Sequence, residues 1–240
     1  MIRWLAALLV AAVPTWAEPL RIGTDGDYHP FSFRDASGTL TGYDIAVGNA
    51  ICARGGFECE WTVMAFVDLN AAIAAGKIDI AIAAMADTPE RRQIVDFSRS
   101  YRLDDGGPST GAFAAMIPGL SAEGQLAAAQ EGTIHAEYLA DIGHPHRLYR
   151  DITAMLDALD RGEVQVIFDS WGHLEQLIEN GFTALRIIET ADVPGYPTAI
   201  AISRARPDLK TRIDAILNAM IKTGEIATLE SIWFPDGLSL

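Results

Sequence analysis

Short apolar runs alternate along this chain with longer segments in which apolar residues recur every three or four positions. Short apolar runs bounded by turn-forming residues are typical of buried strands. Such runs occupy residues 20–23, 78–83, 111–117, 126–129, 164–168, 185–188 and 198–202. Because strand-like runs and helical patterns alternate, the chain is predicted to have an α/β fold with largely parallel sheets.

Helices are predicted where the apolar spacing is helical and a capping residue precedes the pattern. Asp44 and Asp68 are expected to be the N-caps of two helices, and Pro89 suits the first turn of a short helix. Further helical patterns occupy residues 152–159, 171–180, 207–222 and 226–233.

The first 17 residues have the pattern of a secretory signal. Arg3 supplies a positive charge, residues 4–13 are apolar, and the segment ends at Ala17. The apolar run is shorter than the roughly 20 residues of a membrane-spanning helix, so an uncleaved anchor is the weaker alternative. No cysteine lies near the cleavage point, which argues against a lipid anchor. The mature protein is therefore predicted to begin near Glu18 and to be soluble in a Gram-negative periplasm.

Size and charge restrict the classes of partner. Removing 17 of the 240 residues leaves enough chain for one large or two modest domains. The full chain has a formal net charge of −14, and such an acidic protein repels nucleic acid and anionic membrane surfaces. We therefore expect neither as a partner. Net charge says little about a small ligand, which experiences the local charges of its site.

The chain has two cysteines, Cys52 and Cys59, and Gly55 and Gly56 between them break the helical pattern. The chain can therefore turn back, and in an oxidising compartment the two cysteines are expected to pair. Redox catalysis would favour a Cys-x-x-Cys spacing, and a metal site would need histidines nearby, which this segment lacks.

Three segments in fixed order carry a resemblance to a known family. They are LRIGTD at 20–25 with YHPFSF at 28–33, GYDI at 42–45, and TPERRQIVDFS at 88–98. Together they resemble the solute-binding proteins of polar amino acid ABC importers, in particular the histidine-binding and lysine/arginine/ornithine-binding subgroup. The resemblance covers nearly all of the mature chain and is strongest over residues 20–101.

The resemblance implies an α/β, two-lobed periplasmic binding protein of type II. Lobe 1 would comprise residues 18–104 and 196–240, and lobe 2 residues 105–195. Two strand crossovers near 102–107 and 193–198 would form a hinge, and the lobes would close on a ligand. Relatives carry a disulfide at the place of the two cysteines. An inner-membrane ABC permease is the expected partner, and we expect a monomer with no metal, cofactor or catalytic residue.

By the same resemblance, Arg91 binds the α-carboxylate of the ligand. A guanidinium presents a planar fork of donors that matches a carboxylate. The neighbouring Arg92 is the alternative and is expected to point to solvent. A purely structural role for Arg91 would be an ion pair with Asp96 or Glu90.

Two aromatic residues and one acid complete this half of the expected site. Tyr28 and Phe66 fall on the positions whose rings enclose the ligand side chain in the family. Ordinary core packing is the alternative for Phe66. Asp25 falls on the position that meets a polar or cationic side-chain end, and turn formation before Gly26 is the alternative.

The chain departs from its relatives at the end of the strand over residues 78–83. Relatives place serines there whose hydroxyls bond the ligand, whereas residues 83–86 read AAMA. Only backbone N–H groups near Ala86 are then expected to donate. Thr133 is a further candidate, but Ile134 follows it where the family often has a second threonine.

The amine-binding carboxylate is also displaced. Counting from Gly162, the family's aspartate falls on Ser170, and Asp169 lies one position early. A one-residue slip on a strand turns a side chain to the opposite face, unless a bulge restores it. Both residues are therefore candidates for the ligand's amine.

Two other functions stay open. An enzyme similar to periplasmic cyclohexadienyl dehydratases would need a general acid, for which Asp169, His173 and Glu175 are the candidates. A sensor or accessory protein with an altered ligand would fit the alanines at the strand end. The His144-Pro-His146 segment is interpreted as a solvated loop rather than a metal site.

Overall fold

The computed structural model of the chain describes residues 19–103, 107 and 109–235, so the predicted signal segment lies outside the described residues. The strands are β1 (Leu20–Thr24), β2 (Phe33–Arg34), β3 (Leu40–Thr41), β4 (Cys59–Val63), β5 (Ile80–Ala81), β6 (Asp96–Ser100), β7 (Ser109–Ala115), β8 (Ala127–Gln130), β9 (His146–Tyr149), β10 (Val166–Ser170), β11 (Arg186–Val193) and β12 (Ala199–Ile202). The helices are α1 (Tyr43–Gly55), α2 (Leu69–Ala74), α3 (Ile134–Asp141), α4 (Ile152–Asp160), α5 (Trp171–Glu179), α6 (Pro207–Lys222) and α7 (Glu225–Trp233). Two 3₁₀ turns span Phe66–Asp68 and Arg91–Gln93.

Two five-stranded sheets form the framework, one in each lobe. Sheet 1 has the strand order β4-β1-β5-β12-β6, and sheet 2 has the order β11-β7-β10-β8-β9. The chain passes from sheet 1 to sheet 2 between β6 and β7, and it returns between β11 and β12. The α/β class and the two-lobed fold are therefore confirmed.

The sheets are mixed rather than largely parallel, so that part of the sequence prediction was wrong. β1 pairs in parallel with β4 and β5, and β8 pairs in parallel with β9 and β10. β12 is antiparallel to β5 and β6, and β7 is antiparallel to β10 and β11. In the two five-stranded sheets, each antiparallel pair involves a strand next to a crossover, and crossover direction is not encoded in local hydrophobic pattern.

Helices cover both faces of each sheet, which explains why the central strands are apolar on both sides. On one face of sheet 1, Ile22 of β1 belongs to a buried cluster with Val47 of α1 and Leu217 of α6. On the other face, Leu69 and Ile73 of α2 belong to a second cluster. In sheet 2, α4 and α5 contribute to one core cluster and α3 to another.

The helix α1 ends where Gly55 and Gly56 break the helical pattern. The helix ends at Gly55, and Gly56 has a φ of 64°, in the left-handed region that glycine adopts readily. The turn brings Cys52 and Cys59 together in a disulfide that joins the last turn of α1 to the first residue of β4. The predicted disulfide is confirmed.

The two expected aspartate caps do not form. α1 begins at Tyr43 with Gly42 as its N-cap, and Asp44 is buried inside the first turn. Asp68 precedes α2, but its side chain makes no capping hydrogen bond and instead pairs with Arg150. Both side chains have long-range partners, which sequence spacing does not show.

Among the helices that the structure describes, none has the length and apolar content required to span a bilayer.

We expect the Cys52→Ser/Cys59→Ser double variant to have a free energy of unfolding about 2–3 kcal/mol lower than the wild type, because the disulfide restricts the unfolded chain. Urea denaturation followed by circular dichroism measures the difference. Wild-type protein in excess reductant is the matched control and should move toward the double variant. Equal urea midpoints for the two oxidised proteins would show that the disulfide does not contribute to stability.

Candidate ligand-binding site

A cavity of about 150 Å³ lies between the two sheets, beside the crossovers. Residues from both lobes line it. All eight residues singled out in the sequence reach this cavity: Asp25, Tyr28, Phe66, Ala86, Arg91, Thr133, Asp169 and Ser170. They come from positions up to 145 apart in sequence, so the fold gathers them.

Arg91 is a buried cation that lines the cavity, with 6% of the residue exposed. Its Nη1 donates to the carbonyl of Ala86 at 2.6 Å, and its Nη2 donates to the carbonyl of Gly132 at 2.8 Å. The first carbonyl belongs to lobe 1 and the second to lobe 2. The guanidinium also lies 5.3 Å from the ring centroid of Phe66. Burial lowers the pKa of Arg91, although nearby acids such as Glu137 oppose this shift.

The structural alternative for Arg91, an ion pair, is not formed. Over the part of the chain that the structure describes, no carboxylate lies within 4.0 Å of its guanidinium, and Asp96 instead pairs with Arg204. Arg92 is different, because 54% of its side chain is exposed and it pairs with Asp87. A guanidinium has five N–H donors, so Arg91 keeps donors for a further acceptor.

Tyr28 connects the lobes across the cavity. Its hydroxyl lies 2.9 Å from Oγ of Ser170, and its ring centroid lies 4.2 Å from that of His173. Phe66 lines the cavity and also packs against a core cluster of lobe 1, so both interpretations of Phe66 describe part of its surroundings.

Asp25 lines the cavity and also forms a turn. Its Oδ1 accepts hydrogen bonds from the N–H of Gly26 at 2.8 Å and from the hydroxyl of Ser32. Burial raises the pKa of Asp25, and these two hydrogen bonds oppose the rise. The turn interpretation is thus correct for one carboxylate oxygen.

Asp169 and Ser170 both reach the cavity, and no bulge is needed. The pairing of β10 with β7 runs without a register shift from Ile167 to Ser170. Ser170 is the last strand residue and also the N-cap of α5, where its Oγ accepts from the N–H of His173 at 3.3 Å. The chain turns at this point, so the strict alternation of faces ends there.

Asp169 accepts two hydrogen bonds and lies close to a second histidine. It accepts from the N–H of Ser170 at 2.7 Å and contacts Nδ1 of His173 at 2.9 Å and Nδ1 of His135 at 3.5 Å. Burial favours the neutral carboxyl group, but the two histidines outweigh it and hold the pKa of Asp169 below its ordinary value. The carboxylate is therefore ionised at neutral pH.

A buried acid, Asp44, holds the backbone of the alanine-rich strand end. The N–H of Ala84 donates to Oδ2 of Asp44 at 2.7 Å, and the hydroxyl of Tyr101 donates to Oδ1 at 2.8 Å. Ala84 has a φ of 44°, in the left-handed region that costs a non-glycine residue about 1–3 kcal/mol. Asp44 thus holds the backbone at Ala84, from which Ala83, Ala84 and Ala86 line the cavity.

Thr133 caps α3 beside the cavity. Its Oγ1 accepts from the N–H of Ala136 at 3.2 Å and donates to the carbonyl of Gln130 at 2.8 Å. The side chain is therefore occupied by capping, whereas its position places the start of α3 next to Arg91.

Sequence reasoning missed several residues that line the cavity, chiefly His135 and Gln130 of lobe 2 and Arg102 and Tyr196 near the crossovers. His135 follows Ile134 directly, and its position next to an expected site segment was a signal. His173 was considered only as an acid. Among the described residues there is no group of three or more His, Cys, Asp or Glu side chains arranged to hold a metal ion.

Two sheets joined by two crossovers, with a buried guanidinium in the cavity between them, define a two-lobed solute-binding fold. The chain belongs to the bacterial extracellular solute-binding proteins, family 3, whose family model matches residues 20–236.

Relatives with a known ligand support this assignment. The L-arginine-binding protein of Pseudomonas aeruginosa is 39% identical over 97 residues, which are 40% of this chain and 38% of that protein. The lysine/arginine/ornithine-binding periplasmic protein of Escherichia coli is 41% identical over 100 residues, which are 41% of this chain and 37% of that protein. These two matches therefore span less than two fifths of each relative.

Solved structures match over nearly the whole fold. A Salmonella typhimurium periplasmic binding protein with high arginine specificity has a TM-score of 0.82 and 27% identity, and the match covers 91% of this chain and 100% of that chain. A Silicibacter pomeroyi periplasmic binding protein in complex with lysine also has a TM-score of 0.82, at 24% identity over 92% of this chain and 99% of that chain.

We expect the Asp44→Leu variant to lose about 2–4 kcal/mol of unfolding free energy, because the buried donors of Ala84 and Tyr101 would lose their acceptor. Asp44→Asn keeps an acceptor for Ala84 and should lose much less at neutral pH. Urea denaturation of both variants measures the difference. Equal losses in the two variants would show that these hydrogen bonds do not hold the strand end.

The same two proteins give a pH test. Burial raises the pKa of Asp44 to about 7, above its ordinary value of 3.8, although the hydrogen bond from Tyr101 opposes the rise. The native state therefore holds this proton more tightly than the unfolded chain, and the contribution of Asp44 to stability should fall as the pH rises from about 4 to about 7. The difference between wild type and Asp44→Asn should shift in the same pH range. A difference that does not vary with pH would contradict a raised pKa.

Proposed function

We propose that this protein is the periplasmic receptor of an ABC importer and that it binds a free amino acid, or a similar small amine with a carboxylate, between its lobes. The observation that carries the proposal is the buried Arg91 guanidinium, which lines the cavity and has no carboxylate partner among the described residues. Relatives named for binding arginine, lysine and ornithine support the ligand class.

Each lining residue has a proposed role. Arg91 binds the ligand carboxylate, with the N–H groups near Ala86 and at the Thr133 end of α3 as further donors. Tyr28 and Phe66 enclose the ligand side chain. Asp25 meets its polar end, since one of its oxygens already serves the turn and the side chain lines the cavity.

The lobes are proposed to comprise residues 18–104 with 196–240, and residues 105–195. Contacts between the two groups include Tyr28 with Ser170, Arg91 with the carbonyl of Gly132, and Arg150 with Asp68. These contacts support a form in which the lobes are closed, and ligand exchange then requires hinge opening at the crossovers. The closed form is the one presented to an inner-membrane permease.

The site of action follows from the same family. Relatives include periplasmic and extracellular proteins. We propose that residues 1–17 direct export, that the mature protein is a periplasmic monomer, and that it meets its permease there.

Binding without chemical conversion fits the site better than catalysis. Of the proposed acids, Asp169 is ionised because the histidines lower its pKa, so it holds no proton to donate at neutral pH. Neither Glu175 nor His173 is among the residues that line the cavity. Incubation with prephenate and arogenate should therefore yield no product, and product formation would establish the enzyme.

We expect Arg91→Ala to weaken amino acid binding by at least about tenfold, because a buried charge-assisted contact contributes roughly 1.5–3 kcal/mol. A thermal-shift panel of the standard amino acids finds the tightest binder, and calorimetry gives its dissociation constant. Arg92→Ala is the matched control, since that guanidinium is exposed and paired with Asp87. Its affinity should stay within about twofold of wild type.

Two results would contradict the proposal. Equal affinities for wild type and Arg91→Ala would remove Arg91 from the site. Absence of binding to every amino acid in the panel would instead favour the sensor or accessory role with an altered ligand.

A further inference from the structure

Gln130, the last residue of β8, is a buried polar residue that lines the cavity from lobe 2. It is 6% exposed. Its Nε2 donates to the backbone carbonyl of Arg150 at 3.4 Å. Within the described residues its Oε1 has no hydrogen-bond partner, and it is not one of the unpartnered atoms that are buried from solvent. Gln130 therefore keeps an accessible acceptor at the cavity.

The orientation of this amide is fixed by its surroundings. A backbone carbonyl only accepts, so the side-chain atom beside the Arg150 carbonyl is the nitrogen, and the oxygen takes the other position. The main chain of Gln130 is also held, because its carbonyl accepts from Oγ1 of Thr133 at 2.8 Å. Two contacts within lobe 2 thus set the direction of the acceptor.

Contacts around Arg150 place Gln130 at the Asp25 end of the cavity. Arg150 lies just before α4, and the backbone N–H of Ile152 in α4 donates to the carboxyl group of Asp27 in lobe 1. Asp27 is two positions after Asp25 in sequence. The segment 150–152 therefore contacts Gln130 on one side and the loop that carries Asp25 on the other.

Neighbouring polar side chains of lobe 2 are already engaged. Oγ1 of Thr133 caps α3, and Oγ of Ser170 lies 2.9 Å from the hydroxyl of Tyr28 and accepts from the N–H of His173. The side-chain carbonyl of Gln130 adds an acceptor that these hydroxyl groups do not supply.

An acceptor at this place selects among ligands. Lobe closure takes water away from it, and a buried acceptor without a donor is costly. A site built around such an atom rejects an analogue that lacks the donor, because the atom is then left unpaired. An ammonium, guanidinium or amide group has at least two N–H bonds, so it can donate to Gln130 from one side and to Asp25 from the other.

We infer that Gln130 is a specificity-determining residue, that its Oε1 accepts a hydrogen bond from an N–H group on the side chain of the bound amino acid, and that apolar side chains of similar length are rejected. The inference rests on the proposed function. It narrows the ligand to amino acids whose side chain carries N–H donors.

The experiment compares amino acids that match in side-chain length and differ in the donor. The pairs are L-lysine with L-norleucine and L-glutamine with L-methionine. Calorimetry gives the dissociation constants for wild type, Gln130→Met, Gln130→Glu and the control Gln125→Met, whose glutamine precedes β8 and is outside the cavity lining. A thermal melt of each variant verifies its fold, and Gln130→Leu replaces Gln130→Met if the latter does not fold.

We expect wild type and Gln125→Met to prefer the donor-bearing member of at least one pair by about tenfold or more. Gln130→Met has no acceptor, so its preference in that pair should be lower by about fivefold or more, while its affinity for the apolar member is unchanged or higher. Gln130→Glu keeps an acceptor and adds a negative charge, so its preference for L-lysine over L-norleucine should be at least that of wild type.

Two outcomes overturn the inference while leaving the proposed function intact. One is an unchanged preference in folded Gln130→Met, which would show that this acceptor does not meet the ligand. The other is a wild-type protein whose tightest binder among the standard amino acids has an apolar side chain, or which prefers neither donor-bearing member. Failure of wild type to bind any amino acid would overturn the proposed function itself, and the inference with it.

Discussion

The structure depends on how it holds one buried positive charge, the guanidinium of Arg91. Burying a charge is costly unless polar groups surround it. Two of those groups are the carbonyls of Ala86 and Gly132, which belong to different lobes. The guanidinium is therefore fully surrounded only when the lobes meet, and a ligand carboxylate would add to the same arrangement. Under the proposed function, lobe closure and binding of the ligand carboxylate are thus coupled through Arg91.

The second constraint is the backbone that faces Arg91. Residues 83–86 carry no hydroxyl, so this strand end can contribute only through its main chain. Its direction is set by Asp44, which accepts from Ala84 and from Tyr101. The strain at Ala84 is offset by a buried hydrogen bond to a carboxylate rather than by glycine. These hydrogen bonds hold the backbone of a site that has few side-chain donors.

Local patterns predicted what depends on neighbours in sequence. The bounds of α6 and the turn at Gly56 follow from apolar spacing and glycine geometry, and the structure has both where they were expected. Asp44 was misassigned because its partners lie 40 and 57 positions away. The choice between Asp169 and Ser170 could not be made from strand alternation, since the strand ends there and both residues reach the cavity.

The histidine cluster shows why sequence comparison with relatives is incomplete at this site. The position of Asp169 suggests a bare carboxylate, but its charge is shared with two imidazoles that come from α3 and α5. Burial favours the neutral form of Asp169, but the contacts with these rings hold its pKa below the ordinary value, so the carboxylate stays ionised. The cavity then has the Arg91 guanidinium on its lobe 1 side and the Asp169 carboxylate on its lobe 2 side. Such an arrangement selects a small dipolar molecule by charge separation, and it can do so without the hydroxyl groups that the strand end has lost.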